Sequence, residues 1–307
     1  MNVLLMVFLN ASVFSIGELG QEQAIFRMPF FNNLNTARIE FTLRPEFNIL
    51  NEDSQYRGIF WTNPFYLNMS IPVYRGLIFS FGNQERFNQS FDIYSKKDLL
   101  DMYVQGRGGI EEIYLKLNQG IKFAEIFFCG SYLYGSSREV WNYIIGDYSI
   151  ADTFLYKFQG RIFSGGLRIL YLSLFYEGQG SVTMIKNDTT DYRLPEVLGL
   201  GLQKSFADWN FVLILEHSAY HNDATINRIK TKIERGNYSL TYAYNPWYLG
   251  GIKEHGVGLE INLPFKNLGK ISFDLNGAMR RKKSLREIVI IPQLRLTLEE
   301  LFARRKK

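Results

Sequence analysis

Apolar and polar residues alternate one by one along most of this chain. In residues 38–47, "RIEFTLRPEF", the apolar set is Ile39, Phe41, Leu43 and Phe47, with Pro45 in register. Arg38, Glu40, Thr42, Arg44 and Glu46 make up the polar set. "FYLNMSIPV" places Phe65, Leu67, Met69, Ile71 and Val73 on one face. "GIEEIYLKLNQG" opposes Ile113, Leu115 and Leu117 to Tyr114, Lys116 and Asn118. "VGLEINLPF" and "KISFDLNGAM" repeat the pattern, the second with Ile271, Phe273 and Leu275 against Ser272, Asp274 and Asn276. Side chains of period two belong to strands with two chemically different faces. The best helix candidates are short, "SKKDLLDMYV" around Leu99 and the tail near Leu301.

Alternating runs separated by turn signals predict about fourteen strands, an even number that suits a closed meander of hairpins. Soluble sandwiches turn every 8–12 residues. Here the spacing is about 15–25, which leaves room for the 9–11 tilted residues of a membrane-crossing strand. Connections such as "RGN" are tight, whereas "GSSREVWNYIIGDYSIAD" and "QGSVTMIKNDTTDYRLPE" read as long polar loops. The expectation is an all-β, transmembrane antiparallel barrel with short turns at one end and long loops at the other.

If lipid lies outside, the charged faces line a lumen. The lumen-lining candidates are Arg38, Glu40, Arg44, Glu46, Lys157, Arg161, Arg228, Lys230, Lys232, Glu234, Glu260, Asp274 and Arg295. The competing reading is a solvated outer face on a soluble β-protein. Aromatics near strand ends favour the membrane, because Trp and Tyr collect at both bilayer boundaries. Trp61, Trp141, Trp209 and Trp247 are the interface candidates.

Composition narrows the picture. Aromatics make up 16% of the 307 residues, carried by 25 Phe and 19 Tyr, and such side chains fit a pleated surface. The charge is a mixed-sign +5, too balanced for a nucleic-acid surface. One cysteine, Cys129, rules out an intrachain disulfide and any paired-cysteine metal site. Its aromatic setting predicts an inert thiol. Val3 to Ile16 is apolar and uncharged, too short for a membrane helix but fit for a signal core. Residues 1–16 are read as a cleaved signal, 17–35 as a short N-terminal segment serving as a reduced plug, and 36–307 as the barrel.

Chemistry-bearing constellations are absent. His217 and His221 in "EHSAYH" would stand about 13 Å apart on a strand, too far to share a metal. His217 continues the apolar face of Phe211, Leu213 and Leu215, so it reads as an interfacial histidine. "GLGLQ" and "GVGLE" lack the third glycine and the helix of a dinucleotide loop. The adjacent pairs Glu111–Glu112 and Glu299–Glu300 point to opposite strand faces. No enzyme, cofactor or metal is expected.

The layout resembles the FadL/PorV-like outer-membrane β-barrels. The likeness lies in "GRGGIEEIYLKLNQGIKFAEIFFCGSYLYGSSREVW", in "LPEVLGLGLQKSFADWNFVLILEH" and in the closing stretches "GNYSLTYAYNPWYLGG", "HGVGLEINLPF" and "SLREIVIIPQLRLTLEELF". The resemblance implies a bacterial outer-membrane barrel of about 14 strands that transports or binds hydrophobic small molecules such as long-chain fatty acids. Its implied partners are membrane lipids and a hydrophobic ligand. The second reading is a PorV-like accessory barrel whose loops bind partner proteins, and the third a diffusion porin. The chain departs from the pattern in two places. The nearest match to an Asn-Pro-Ala hatch motif is "NPF" at Asn63 to Phe65, and "ARRKK" follows Phe302.

Overall fold

A computed structural model describes the backbone over residues 4–6, 21–22, 34, 36–52, 55–62, 66–97, 100–185, 189–220, 225–248, 250–265, 268–283 and 285–299. Side chains are described over the same ranges except 4–6, 21–22, 51–62, 92–97 and 189. Most of the proposed signal and plug, and the C-terminal tail, therefore lie outside the described residues.

Fourteen antiparallel strands close on themselves. The first is β1, in two segments, Arg38–Leu43 and Pro45–Glu52; β2 comprises Gln55–Thr62 and Tyr66–Tyr74, and β3 Leu77–Asn88 and Phe91–Lys97. Three long strands follow, β4 (Leu100–Ile121), β5 (Ala124–Ile145) and β6 (Tyr148–Ile169). Next come β7 (Leu172–Glu177 and Ser181–Ile185), β8 (Thr189–Arg193 and Glu196–Phe206), β9 (Trp209–Ala219) and β10 (Thr225–Arg235). The circuit ends with β11 (Tyr238–Pro246), β12 (Lys253–Phe265), β13 (Gly269–Lys282) and β14 (Leu285–Glu299). Each strand pairs with the next, and β14 pairs with both segments of β1. The expected barrel of fourteen strands is what the chain forms.

The near end carries the described termini of the barrel and the tight turns. Two-residue turns at 75–76, 122–123, 170–171 and 207–208 place Arg75, Lys122, Leu170 and Ala207 at positive φ. That is the conformation whose twist matches flanking strands in a short hairpin. The far end differs from expectation. Residues 135–145 and 148–152 are paired continuations of β5 and β6 around a turn at 146–147, not a loop. Residues 181–185 and 189–193 are likewise paired. A polar stretch on a strand that has left the membrane still alternates and still pairs, because its backbone groups find partners before water does. The helix expected around Leu99 is also absent: Phe91–Lys97 and the start of β4 pair as strands there.

Wall height is unequal around the circuit. β4, β5 and β6 have 22 residues each, whereas β9 and β10 have 11 and β11 has 9. At about 3.3 Å per residue and a tilt near 40° the long strands rise about 55 Å, some 30 Å more than the ~25 Å apolar band of such barrels.

The faces are inverted relative to a soluble protein. Ile113, Leu115, Phe128, Phe163, Leu200, Leu240, Leu259, Phe273 and Leu294 are exposed. Buried positions are occupied more often by polar than by apolar residues among those described. Every near-end turn is flanked by an exposed aromatic: Tyr74, Phe123, Tyr171, Phe206, Tyr238 and Phe265. This is the girdle that marks one membrane boundary. No helix among the described residues is long and apolar enough to cross a membrane.

One glycine tests the packing of the tall wall. Gly108 of β4 has φ +120°, and a Cβ there would run into the Ser136 carbonyl of β5. Gly108→Ala combines backbone strain with that collision. It is expected to cost about 1–3 kcal/mol, read as a lower midpoint in urea unfolding from lipid vesicles. An unchanged midpoint would show that β4 and β5 separate there at little cost.

Candidate functional site

The lumen wall is built by the polar positions of each strand, and it divides in two. On β10 to β14 and β1 it is charged. Arg280 touches three carboxylates: Nε to Glu254 at 2.6 Å, and Nη1 to Glu287 at 3.1 Å and to Glu46 at 3.3 Å. Its guanidinium also lies 5.1 Å from the Trp247 ring. Lys232 bonds Glu234 (2.6 Å) and Glu260 (2.8 Å), and Arg295 reaches Asp274 (3.2 Å) and Glu260 (3.8 Å). Nearer the termini, Arg38 pairs with Glu299 at 2.8 Å, and Asn68 donates to Glu40 at 2.9 Å.

On β3 to β8 the lumen holds an apolar cluster: Phe87, Ile110, Leu133, Phe158, Ile162, Val182 and Leu194, with Tyr156, Met184, Tyr192 and Tyr248 around it. Bare positions make the room. Gly180 and Gly160 lie so close to Ile162 and Val182 that any Cβ would collide with the neighbouring chain. Tyr248, from the connection between β11 and β12, reaches this cluster and stacks on Tyr220 at 5.0 Å. Nearer the turns, Phe127 and Phe175 stack at 6.4 Å beside Val197.

The two halves meet at a break in the wall. The ladder between β2 and β3 runs from Tyr74 opposite Leu77 up to Asn68 opposite Gly82 and stops. Asn83 Oδ1 accepts the next free amide, Leu67 N–H, at 3.0 Å and so seals the end of the ladder. Above it, the Gln55–Thr62 segment of β2 pairs with β1. β3 pairs on its other side with β4, and the register shifts between Glu85 and Phe87. That bulge inserts Arg86, bends the strand and turns Arg86 and Phe87 inward together. Glu85 stands directly opposite Glu111 at the same level. Two short N-terminal pieces lie along the freed edge of β3, Gln21–Glu22 against Asn88 and Phe87, and Leu4–Met6 against Lys96, Ser95 and Tyr94.

Arg86 is 2% exposed and bonds Glu177 at 2.6 Å. Because β4, β5 and β6 separate β3 from β7 in the sheet, this pair crosses the interior. Glu112 joins it at 3.9 Å.

The alternation places most of the anticipated residues. Arg38, Glu40, Glu46, Arg228, Lys230, Lys232, Glu234, Glu260, Asp274 and Arg295 occupy inward positions, and Arg44 sits at the break between the two segments of β1. Lys157 and Arg161 do not. They are exposed and alternate with buried Phe158 and Ile162, so they share the outer face with Leu155 and Phe163. Of the four tryptophans, Trp209 lies at the near-end girdle, 39% exposed, with Arg235 5.0 Å from its ring. Trp247 is buried over Arg280, and Trp141 is half-buried far up the tall wall, stacked on Tyr143. The side chain of Trp61 lies outside the described residues. His217 faces outward and bonds Asn227 at 2.8 Å, whereas His221 lies outside the described residues. Cys129 is half-buried on the inner face beside Ser131.

Of the Arg280 cluster only Glu46 was anticipated, although the period reaches the rest. Arg280 continues the even-numbered face of Ser272, Asp274 and Asn276, Glu254 continues that of Glu260, and Glu287 the odd-numbered face of Arg295. Arg86 carried no such signal, because a bulge shifts the parity.

No protein-family model matches the sequence, and no curated protein matches it either. Among solved structures, the chain is similar to the Pseudomonas putida toluene transporter TodX, at 10% identity over 89% of this chain and 92% of that one, with a TM-score of 0.55. It is also similar to the CymD monoaromatic hydrocarbon channel, at 8% identity over 86% and 88%, with a TM-score of 0.51. At such identities the likeness is one of fold. The chain folds as a closed antiparallel barrel of fourteen strands, and that fold is what it shares with these two proteins.

Proposed function

We propose that the protein is an outer-membrane channel for small hydrophobic molecules, which enter at the far mouth, rest on the apolar cluster and leave sideways through the break between β2 and β3. One observation carries this reading. Phe87, the first residue of the cluster, sits at the bulge just beyond the end of the β2–β3 ladder, so the apolar cluster reaches the level of the break. An apolar patch inside a charged interior stabilises an apolar guest by about 25 cal/mol per Å² removed from water. The sideways route spares that guest the charged layer of Lys232, Glu260, Asp274 and Arg295 nearer the turns. TodX, a toluene transporter, and CymD, a monoaromatic hydrocarbon channel, support the same ligand class. Long-chain fatty acids are the second class the chamber would take.

Competition binding of a fluorescent fatty acid to detergent-purified protein tests the reading. Displacement by toluene and by unlabelled fatty acid is the expected result, and Phe87→Arg should abolish it in a correctly folded barrel. Saturable binding that Phe87→Arg leaves intact would place the ligand elsewhere.

A second reading as a docking barrel rests on the projecting wall. Ile144, Ile145, Tyr148 and Ile150 are exposed apolar residues at its tip. A protein partner that co-purifies, and is lost on replacing Tyr148 and Ile150 by Ser, would support it. The open-pore reading predicts a large conductance. With Arg86 and Glu177 joined across the lumen, conductance in planar bilayers is expected to stay small and to rise in Arg86→Ala.

A further inference from the structure

The outer face of the tall wall carries a feature that transport through the lumen does not use. Arg161 points away from the lumen at a position paired with Tyr132. Beside it lies a groove of about 340 Å³ on the outer wall, walled by Phe81, Ile113, Leu115, Tyr132 and Phe163 around the bare position of Gly130. A Cβ at Gly130 would touch the Phe163 ring at 3.4 Å, so the glycine is what keeps the slot open.

Height places the groove. Arg161 to Ile169 is nine residues above the near-end turn of β6. At about 3.3 Å each and a tilt near 40° they rise about 23 Å, close to the full ~25 Å of an apolar band. Arg161 therefore stands where acyl chains give way to headgroups, at the boundary opposite the termini. Two more outward cations continue above it. Lys157 is paired with Ser136, and Arg138 is one step away on the same face, opposite Leu155. Among the described residues none of Arg138, Lys157 and Arg161 forms an ion pair. On its other side Arg138 stands directly opposite Arg107. Like charges in direct cross-strand opposition destabilise a sheet, and the Arg107 guanidinium is held on the Gly106 and Phe91 carbonyls at 2.7 and 3.2 Å. Glu111, the nearest acid described on this face, is paired with Tyr134 below.

The geometry points to a binding site for a phosphorylated glycolipid of the outer leaflet, of the lipid A class. One acyl chain fills the slot over Gly130, and its phosphates lie on Arg161, Lys157 and Arg138. A single phosphate would need only Arg161; the column of three cations, spread over about 15–20 Å of strand, fits a headgroup carrying more than one. The inference rests on the barrel spanning a membrane and is independent of what passes through the lumen.

Native mass spectrometry of the protein in dodecylmaltoside tests it, with diphosphoryl lipid A, phosphatidylglycerol and phosphatidylcholine offered separately. Wild type is expected to retain lipid A at least ten-fold better than either phospholipid. The Arg138→Gln/Lys157→Gln/Arg161→Gln variant should lose at least ten-fold of that retention while keeping its heat-modifiable mobility on gels. Gly130→Leu, which leaves every charge in place, should also weaken it by filling the slot. Equal retention by wild type and the triple variant overturns the site. Equal retention of phosphatidylglycerol and lipid A overturns the glycolipid assignment. Should the triple variant misfold, Lys157→Gln alone, on the projecting wall, is read against the same expectations.

Discussion

Replacing Arg280 with methionine is expected to remove about 3–5 kcal/mol of barrel stability, enough to abolish the folded band in unheated electrophoresis at moderate urea. The guanidinium is buried among Glu46, Glu254 and Glu287, with Glu287 fully inaccessible. Taking away one partner of a buried charge network leaves the others desolvated and unpaired, which costs more than the pair itself contributed. Here three carboxylates from β1, β12 and β14 would face one another around a cavity. The same logic gives an internal control. Glu46→Gln and Glu287→Gln added to Arg280→Met should recover much of the loss, because neutral amides can share hydrogen bonds. If Arg280→Met alone folds as well as wild type, water fills that region and the cluster is not a structural centre.

The second large effect concerns passage. The β2–β3 ladder ends at Asn68 opposite Gly82, so Tyr66 and Gln84 would be the next inward pair if pairing went on. A Tyr66→Cys/Gln84→Cys protein in a Cys129→Ser background can be zipped closed by oxidation. Uptake of a radiolabelled hydrocarbon by cells expressing it should drop at least ten-fold on oxidation and return with reductant. A disulfide that forms without changing uptake would move the exit to the near-end mouth. The measurement separates route from ligand, since binding to the apolar cluster should survive the closure.

Most of the architecture could be read from the chain because each strand obeys one period. Arg38, Glu40 and Glu46 face inward, and Ile113, Leu115 and Leu117 outward, for the same geometric reason, and the even count of such runs suits the closure that β14 makes with β1. What escaped had local causes. Lys157 and Arg161 are cations on an outer face, and inferring lumen from charge fails where the wall passes the membrane boundary. The stretch around Trp141 is polar because it stands in water, not because it has left the sheet. Trp247 is an aromatic at a strand end, as a girdle residue would be, yet it folds inward onto Arg280. The bulge at Arg86 leaves no mark on the alternation except one misplaced residue, and the break beside it depends on β2 pairing elsewhere.

The latch between Arg38 and Glu299 joins residues 261 positions apart. Every other neighbouring strand pair can form as the chain is delivered, but this last one waits for the final strand. Until then both β1 and β14 offer free edges to any other chain, the state in which unpaired strands aggregate. Closure on so long a loop is also slow, since its entropy is lost before its contacts form. Shortening β14 should therefore show first as misassembly, before any loss of stability in the barrels that do close.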